Sequence, residues 1–221
     1  MTKGKLIVLD GLDGSGKSTQ LELAADYLKS LGVNFRAVSF PNYKTLGGQL
    51  VRQYLDGTVK CEGRNGAYSA STIYAVDRYV SYATDWKEFY QSGGLIITGR
   101  YTTSNAIYQL TKMPKEEYSG FLDWLYDFEY NKLGLPEPDK VIFLDMPVEI
   151  SQKLLKKRYD GDESKKDIHE RNVEFLQQCR DSALYAAEKG GWSVVGCAKD
   201  GEPHSVEEIH KQICKQIDSL I

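Results

Sequence analysis

The 221-residue sequence has no apolar run approaching the roughly 20 residues needed to cross a bilayer, so it reads as a chain without a membrane span. Its four cysteines, Cys61, Cys179, Cys197 and Cys214, lie far apart and lack the paired spacing of a metal site. That excludes a disulfide scaffold and a zinc ribbon, and fits reduced thiols in a cytoplasmic protein. An excess of one charge is missing too. There are 28 Lys and Arg against 31 Asp and Glu, a net charge of −3, which offers no general attraction to nucleic acid or an anionic membrane. Only Lys3 and Lys5 precede a short apolar stretch at the N-terminus, unlike a secretory signal. Internal repeats and low-complexity linkers are also absent. What remains, 41% apolar and 27% charged residues, suits one α/β domain, or one domain with a small insertion.

One stretch organises the rest. Gly11-Leu12-Asp13-Gly14-Ser15-Gly16-Lys17-Ser18 fits the phosphate-loop pattern G-x-x-x-x-G-K-[ST] at every fixed position. The apolar run Leu6–Leu9 precedes it and reads as a strand buried on both faces. Thr19 and the helical spacing from Gln20 to Leu31 follow it. Glycines 11, 14 and 16 let the backbone turn its N–H groups inward, and the following helix offers its positive end. Lys17 adds a mobile cation for the terminal phosphates, and the Ser18 hydroxyl is a ligand for Mg²⁺. Nucleotide phosphate binding follows; the reaction does not.

Five apolar runs, Leu6–Leu9, Phe35–Phe40, Leu95–Thr98, Val141–Leu144 and Trp192–Val195, alternate with helical patterns. This predicts a five-stranded parallel sheet with helices on both faces. Helices are expected over Leu46–Leu55, Ala67–Tyr90 with a break near Thr84-Asp85, Lys115–Lys132, from Pro147, Asp167–Lys189 and Ser205–Leu220. The polar stretch Tyr159–Asp167 is expected to be a flap. Sites in such sheets lie beyond the carboxyl ends of the strands, which directs attention to Asp10 onward, Phe40-Pro41-Asn42-Tyr43, Gly99-Arg100-Tyr101 and Asp145.

At those places the chain resembles the thymidylate kinases, P-loop nucleoside monophosphate kinases that phosphorylate dTMP with ATP. The resemblance rests on Leu9 to Thr19, Phe40-Pro41-Asn42-Tyr43, Tyr74-Ala-Val-Asp-Arg78 and Arg100 to Gln109, with Phe143 to Pro147 and Lys165 to Glu170 as a fourth strand and lid. It implies an α/β P-loop kinase fold, one domain over residues 1–221 with a lid at about 157–168, Mg²⁺ with ATP, and a homodimer through helices carrying Tyr79, Tyr82 and Trp86. Asp13 resembles the carboxylate that holds the acceptor's 3′-hydroxyl. Tyr74 and Arg78, four residues apart on one helix face, resemble the ring against thymine and the guanidinium at its carbonyl. Phe40 and Tyr43 belong to the same acceptor side. Arg100 resembles the arginine that grips the acceptor phosphate, Tyr108 the ring that crowds the sugar 2′ position, and Gln109 the amide that reads the base edge. Ser104 and Asn105 are read as base contacts or as helix caps.

Two departures stand out. The family usually has Asp before the strand-three arginine, where this sequence has Gly99. Asp10 is the substitute expected as a metal carboxylate, ahead of Asp145 and Asp77. Tyr43 stands where many relatives carry arginine. In one branch a loop arginine follows the position of Asp13; here that residue is Gly14, so the extra catalytic cation is expected from the lid, among Arg158, Lys165 and Lys166. A deoxynucleoside kinase and a nucleotide-binding paralogue with little catalysis are the alternatives.

Overall fold

The computed structural model of the protein describes residues 3–63, 65–158 and 172–221. The five apolar runs form β1 (Lys5–Gly11), β2 (Phe35–Val38), β3 (Leu95–Thr98), β4 (Lys140–Asp145) and β5 (Ser193–Gly196). They make one sheet in the order β2-β3-β1-β4-β5, and every pairing is parallel. Leu6, Ile7, Val8 and Leu9 are each at most 1% exposed, as a strand covered on both faces must be. β2 ends earlier than its apolar pattern. Pairing stops at Val38, and Phe40 buries its ring against Tyr101 instead, 5.9 Å between centroids.

Nine helices among the described residues cover the sheet: α1 (Lys17–Ser30), α2 (Leu46–Leu55), α3 (Gly66–Ser81), α4 (Lys87–Gln91), α5 (Thr102–Gln109), α6 (Tyr118–Tyr126), α7 (Val148–Arg158), α8 (Val173–Gly190) and α9 (Val206–Asp218). Strand alternation sorts them. Ile7, Leu9 and Ile97 pack against Ala24 and Leu28 of α1 and Ile209, Ile213 and Ile217 of α9. Leu6, Val8 and Ile96 face the other way, toward Trp86, Tyr90 and Tyr101. On that side Phe143 meets Ile107 of α5 and Cys179 and Ala183 of α8. Each such side chain contributes roughly 1.5–3 kcal/mol by burial, so a one-residue slip of β1 would be severely penalised.

The stretch expected as one helix over Ala67–Tyr90 is α3 and α4 joined by a π-helical turn, Tyr82–Trp86. The wider turn lets Tyr82, Trp86 and Tyr90 meet edge to face, with Tyr82 and Trp86 centroids 4.6 Å apart. That corrects the expected place of Tyr82 and Trp86 at a subunit contact. Tyr82 is 7% and Trp86 0% exposed within the chain's own core, whereas Tyr79 is 45% exposed. Lys115–Lys132 also divides, into a 3₁₀ turn, α6 and a second π-helical turn over Asp127–Lys132. A hairpin of β6 (Ala198–Lys199) and β7 (Glu202–Pro203) was not anticipated. Its Asp200-Gly201 turn has φ of 51° and 82°, the left-handed pair that an Asp-Gly hairpin requires. The flap over Tyr159–Asp167 lies outside the described residues. Among the described residues no helix is long and apolar enough to cross a membrane.

Candidate active site

The chain leaves β1 toward β2 on one side and β3 toward β4 on the other, opening a crevice at their carboxyl ends. The phosphate loop occupies it. Gly14 and Gly16 have φ of 77° and 82°, and at Gly14 a Cβ would also come within 3.0 Å of the Ser151 carbonyl oxygen and Leu155. Gly16 caps α1 without a side-chain bond, so the first-turn N–H groups are open to an anion. The resulting cavity, about 590 Å³, runs from the loop past Arg100 to α7 and to Pro203, His204, Val206 and Ile209. α9 is held there by a capping box between Ser205 and Glu208, a cap of the kind that contributes roughly 1 kcal/mol.

Lys17 Nζ donates to the Gly11 carbonyl at 2.7 Å. Burial, and then the nearby Arg100 guanidinium, lower its pKa to about 8 against the opposing pull of Asp10 and Asp13. The sign for binding follows. Below pH 8 the ammonium is charged and ready for phosphate; above it the charge is lost, while bound phosphate favours the protonated form. ATP binding is therefore expected to take up protons just above pH 8 and to weaken by up to about tenfold per pH unit beyond it. Calorimetry in two buffers of different ionisation enthalpy checks this. A proton uptake of zero at pH 8.5 would contradict it.

Arg100, just beyond β3, faces the same cavity. It donates from Nη2 to Asp13 Oδ1 at 2.9 Å and from Nη1 to the Tyr108 hydroxyl at 3.3 Å, with the guanidinium 5.4 Å from the centre of the Tyr108 ring. Burial holds the Tyr108 phenol above its usual pKa, against the effect of Arg100. Tyr74 lies close by, half-buried and edge-on to Tyr54 at 5.9 Å. Burial raises its pKa, and both Arg100 and Arg78 oppose that rise.

On α5 the expected residues divide by helix face. Ser104 and Tyr108 are half-buried, while Asn105 and Gln109 are 2% and 4% exposed. Ser104 donates to Asp10 at 2.8 Å. Asn105 Nδ2 donates to the Ser71 carbonyl and to Glu129 Oε1, each at 3.2 Å. Among the described residues, Gln109 Oε1 is buried without a partner. Arg78 is only 2% exposed; its Nε and Nη2 are taken by Glu129 at 2.7 and 2.5 Å, and Nη1 is 3.4 Å from the Tyr101 carbonyl. Phe40 is 6% exposed and supports Tyr101 from below. Tyr43 is exposed, and the Arg52 guanidinium sits 5.0 Å from its ring centre, so a charge missing from the sequence position is supplied beside it in space.

Asp10, expected as the substitute metal-site carboxylate, is held by protein donors. It is fully buried and accepts from Gly11 N at 2.8 Å, Thr103 Oγ1 at 2.6 Å and Ser104 Oγ at 2.8 Å, clamping β1 to the first turn of α5. Asp145 is taken by Arg180 at 2.6 and 2.9 Å, and Asp77 accepts from Asn42 N at 3.0 Å and Thr45 Oγ1 at 3.3 Å. Ser18, exposed on the first turn of α1, is the side chain open to a metal. The described residues hold no group of three or more His, Cys, Asp or Glu placed for a metal ion, so Ser18 and the nucleotide's own oxygens would be the main ligands. At Gly99 a Cβ would meet only the tip of Leu21, at 3.0 Å, which a rotamer change relieves. Gly99→Asp is thus expected to fold and to keep or raise kcat; a large loss, measured against wild type at equal melting temperature, would show a site rebuilt around glycine.

Arg158 is the last residue of α7, whose Leu154 and Leu155 line the cavity one turn earlier. Lys165 and Lys166 lie outside the described residues. Two features escaped the sequence reading. Pro203 and His204 reach the cavity through the hairpin, for which Asp200-Gly201 was an available turn signal. Glu129 stands at a core-facing helical interval after Leu122 and Leu125, an acid in an apolar register.

Comparison with known proteins decides the family. A sequence profile described as thymidylate kinase matches residues 9–213. The chain belongs to the thymidylate kinase family. It is 28% identical over 202 residues to a thymidylate kinase of Mycobacterium tuberculosis, covering 88% of this chain and 92% of that one. It is 30% identical over 221 residues to a thymidylate kinase of a Sulfurihydrogenibium species, covering 98% and 97%. The solved structure of thymidylate kinase from Candida albicans shares the fold, with a TM-score of 0.71 at 22% identity over 98% of this chain and 92% of that one. The match extends over the loop, the segments carrying Arg78 and Arg100, and the cavity-lining first turns of α9.

Proposed function

We infer that the protein transfers the γ-phosphate of ATP to dTMP, giving ADP and dTDP for dTTP synthesis. The observation that carries this is the convergence of Lys17 and Arg100 on one cavity with Asp13 between them. Two anionic phosphates repel, and the reaction needs them in line with their charge offset. Lys17 and the loop amides hold the donor. Arg100, whose planar fork matches phosphate geometry, holds the acceptor, and Asp13 is free to exchange its bond with Arg100 for one to the sugar 3′-hydroxyl.

Thymine is placed against Tyr74, with Arg78, Ser104, Asn105 and Gln109 on its edge and Tyr108 against the sugar. Mg²⁺ bound through Ser18 would neutralise charge on the donor phosphates. The lid cation is Arg158, Lys165 or Lys166. Residues 1–221 act as one kinase domain in the cytoplasm, and the apolar surface of Leu46, Val76 and Tyr79, which are 80%, 37% and 45% exposed, is the contact for a homodimer.

An assay coupled to ADP release tests the reading, with dTMP, dUMP, thymidine or no acceptor. Turnover with dTMP but not thymidine supports it. Turnover with thymidine would make the protein a deoxynucleoside kinase, and tight ATP binding without turnover on any acceptor would make it a nucleotide-binding paralogue.

A further inference from the structure

We propose that Glu129 is the positioning residue that sets the acceptor-base preference, by fixing the hydrogen-bonding polarity of Arg78 and Asn105. This rests on the dTMP kinase reading above. Glu129 lies in the π-helical turn Asp127–Lys132 and is 0% exposed. Its Oε2 accepts from Arg78 Nε at 2.7 Å and Thr102 Oγ1 at 2.7 Å; its Oε1 accepts from Arg78 Nη2 at 2.5 Å and Asn105 Nδ2 at 3.2 Å. Four donors fill the four lone-pair directions of a carboxylate. The group joins α3, α5 and the second π-helical turn at one buried point.

An isolated buried carboxylate is costly, and a buried ion pair is often no more stabilising than an apolar pair of the same shape. Stability alone is therefore a weak reason for this acid. Its geometric consequence is sharper. Asn105 Nδ2 spends both hydrogens, on the Ser71 carbonyl and on Glu129, so the amide can be assigned only one way round and Oδ1 remains as acceptor. Beyond the Glu129 pair, Arg78 has a second hydrogen on Nη2 and two on Nη1, one of them directed to the Tyr101 carbonyl at 3.4 Å, and an arginine can only donate.

The pair thus offers a donor side on Arg78 and an acceptor on Asn105 in a fixed order. A 4-oxo pyrimidine with N3–H, thymine or uracil, presents the complementary order. Cytosine, with an exocyclic amine and a bare N3, presents the reverse. A neutral amide at 129 would disturb the arrangement, because its NH₂ would face donors of Arg78, Thr102 or Asn105 that the carboxylate accepted, loosening the hold on both base-reading groups. Burying mismatched polar groups against the wrong base is the kind of device that yields strong discrimination.

The test uses the full-length protein and its variants, with kcat and KM measured for dTMP, dCMP and ATP, and the melting temperature alongside. For Glu129→Gln the ratio of kcat/KM for dTMP over dCMP is expected to fall at least about tenfold, carried by the dTMP KM, with the ATP KM within about twofold of wild type. Glu129→Asp keeps an acceptor-only group and is expected to retain the preference even if its melting temperature drops. The double variant Arg78→Met with Glu129→Met removes the charges together, and is expected to fold and to lose the preference. An unchanged preference in Glu129→Gln or in the double variant overturns the proposal. So does failure of all three to fold, since Glu129 would then act on stability alone. Absence of dTMP turnover in the wild type would instead refute the kinase reading.

Discussion

Lys17→Ala is expected to reduce kcat for dTMP phosphorylation by at least about 10²–10³-fold, the loss seen when one preorganised donor to developing charge is removed. The cause is specific. The ammonium is held at the loop by the Gly11 carbonyl, 2.7 Å away, and it is the loop's only side-chain cation, since position 14 is glycine. Alanine is a good helix former at the first position of α1, so the melting temperature of the unliganded protein should stay close to wild type. The proton uptake on ATP binding above pH 8 should vanish with the same substitution, because the group whose pKa sits near 8 is gone. The coupled assay and the two-buffer calorimetry read these outcomes separately. Turnover near the wild-type rate would remove Lys17 from the chemistry.

Arg100→Met should raise the dTMP KM by roughly 10–100-fold, the range expected for loss of hydrogen bonds to a charged group, and lower kcat as well. A second consequence tests the electrostatics of the cleft. After burial, Arg100 is the next cause that holds the Lys17 pKa down to about 8, against the opposing pull of Asp10 and Asp13. Without it the Lys17 pKa rises toward its ordinary value, so the weakening of ATP binding moves to higher pH. A rise in dTMP KM with an unmoved ATP pH profile would mean that the two cations do not share a field. Arg100→Lys is not a conservative control here, because an ammonium cannot reproduce bonds from two guanidinium nitrogens to Asp13 and Tyr108 at once.

The phosphate loop was legible because its function is local: a strand, a glycine turn and a helix start contribute all its amides within eight residues. The central strands β1, β3 and β4 were legible because a strand buried on both faces must be apolar at consecutive positions, as in Leu6–Leu9, whereas the edge strands β2 and β5 are partly exposed. Less legible were the helix interruptions at Tyr82–Trp86 and Asp127–Lys132. Each exists to aim aromatic or charged side chains at distant partners, and a local pattern carries no record of those partners. The same limit applied to Asp10. Beside a phosphate loop it reads as a metal carboxylate, but the hydroxyls of Thr103 and Ser104, more than 90 residues away along the chain, occupy it.

Sequence alone determined that this chain grips nucleotide phosphate, that its sheet is parallel and covered on both faces, and which segments reach the cleft, because these depend on residue type at short spacing. Only the tertiary structure decided which members of those segments are available. It left Ser104 and Tyr108 half-buried, held Asn105 between the Ser71 carbonyl and Glu129, tied Arg78 to Glu129 across 51 residues, and lowered the basicity of Lys17 by burying it beside Arg100. Those are properties of distances between separate elements, and hydrogen bonds, desolvation and charge repulsion follow distance in space rather than position along the chain.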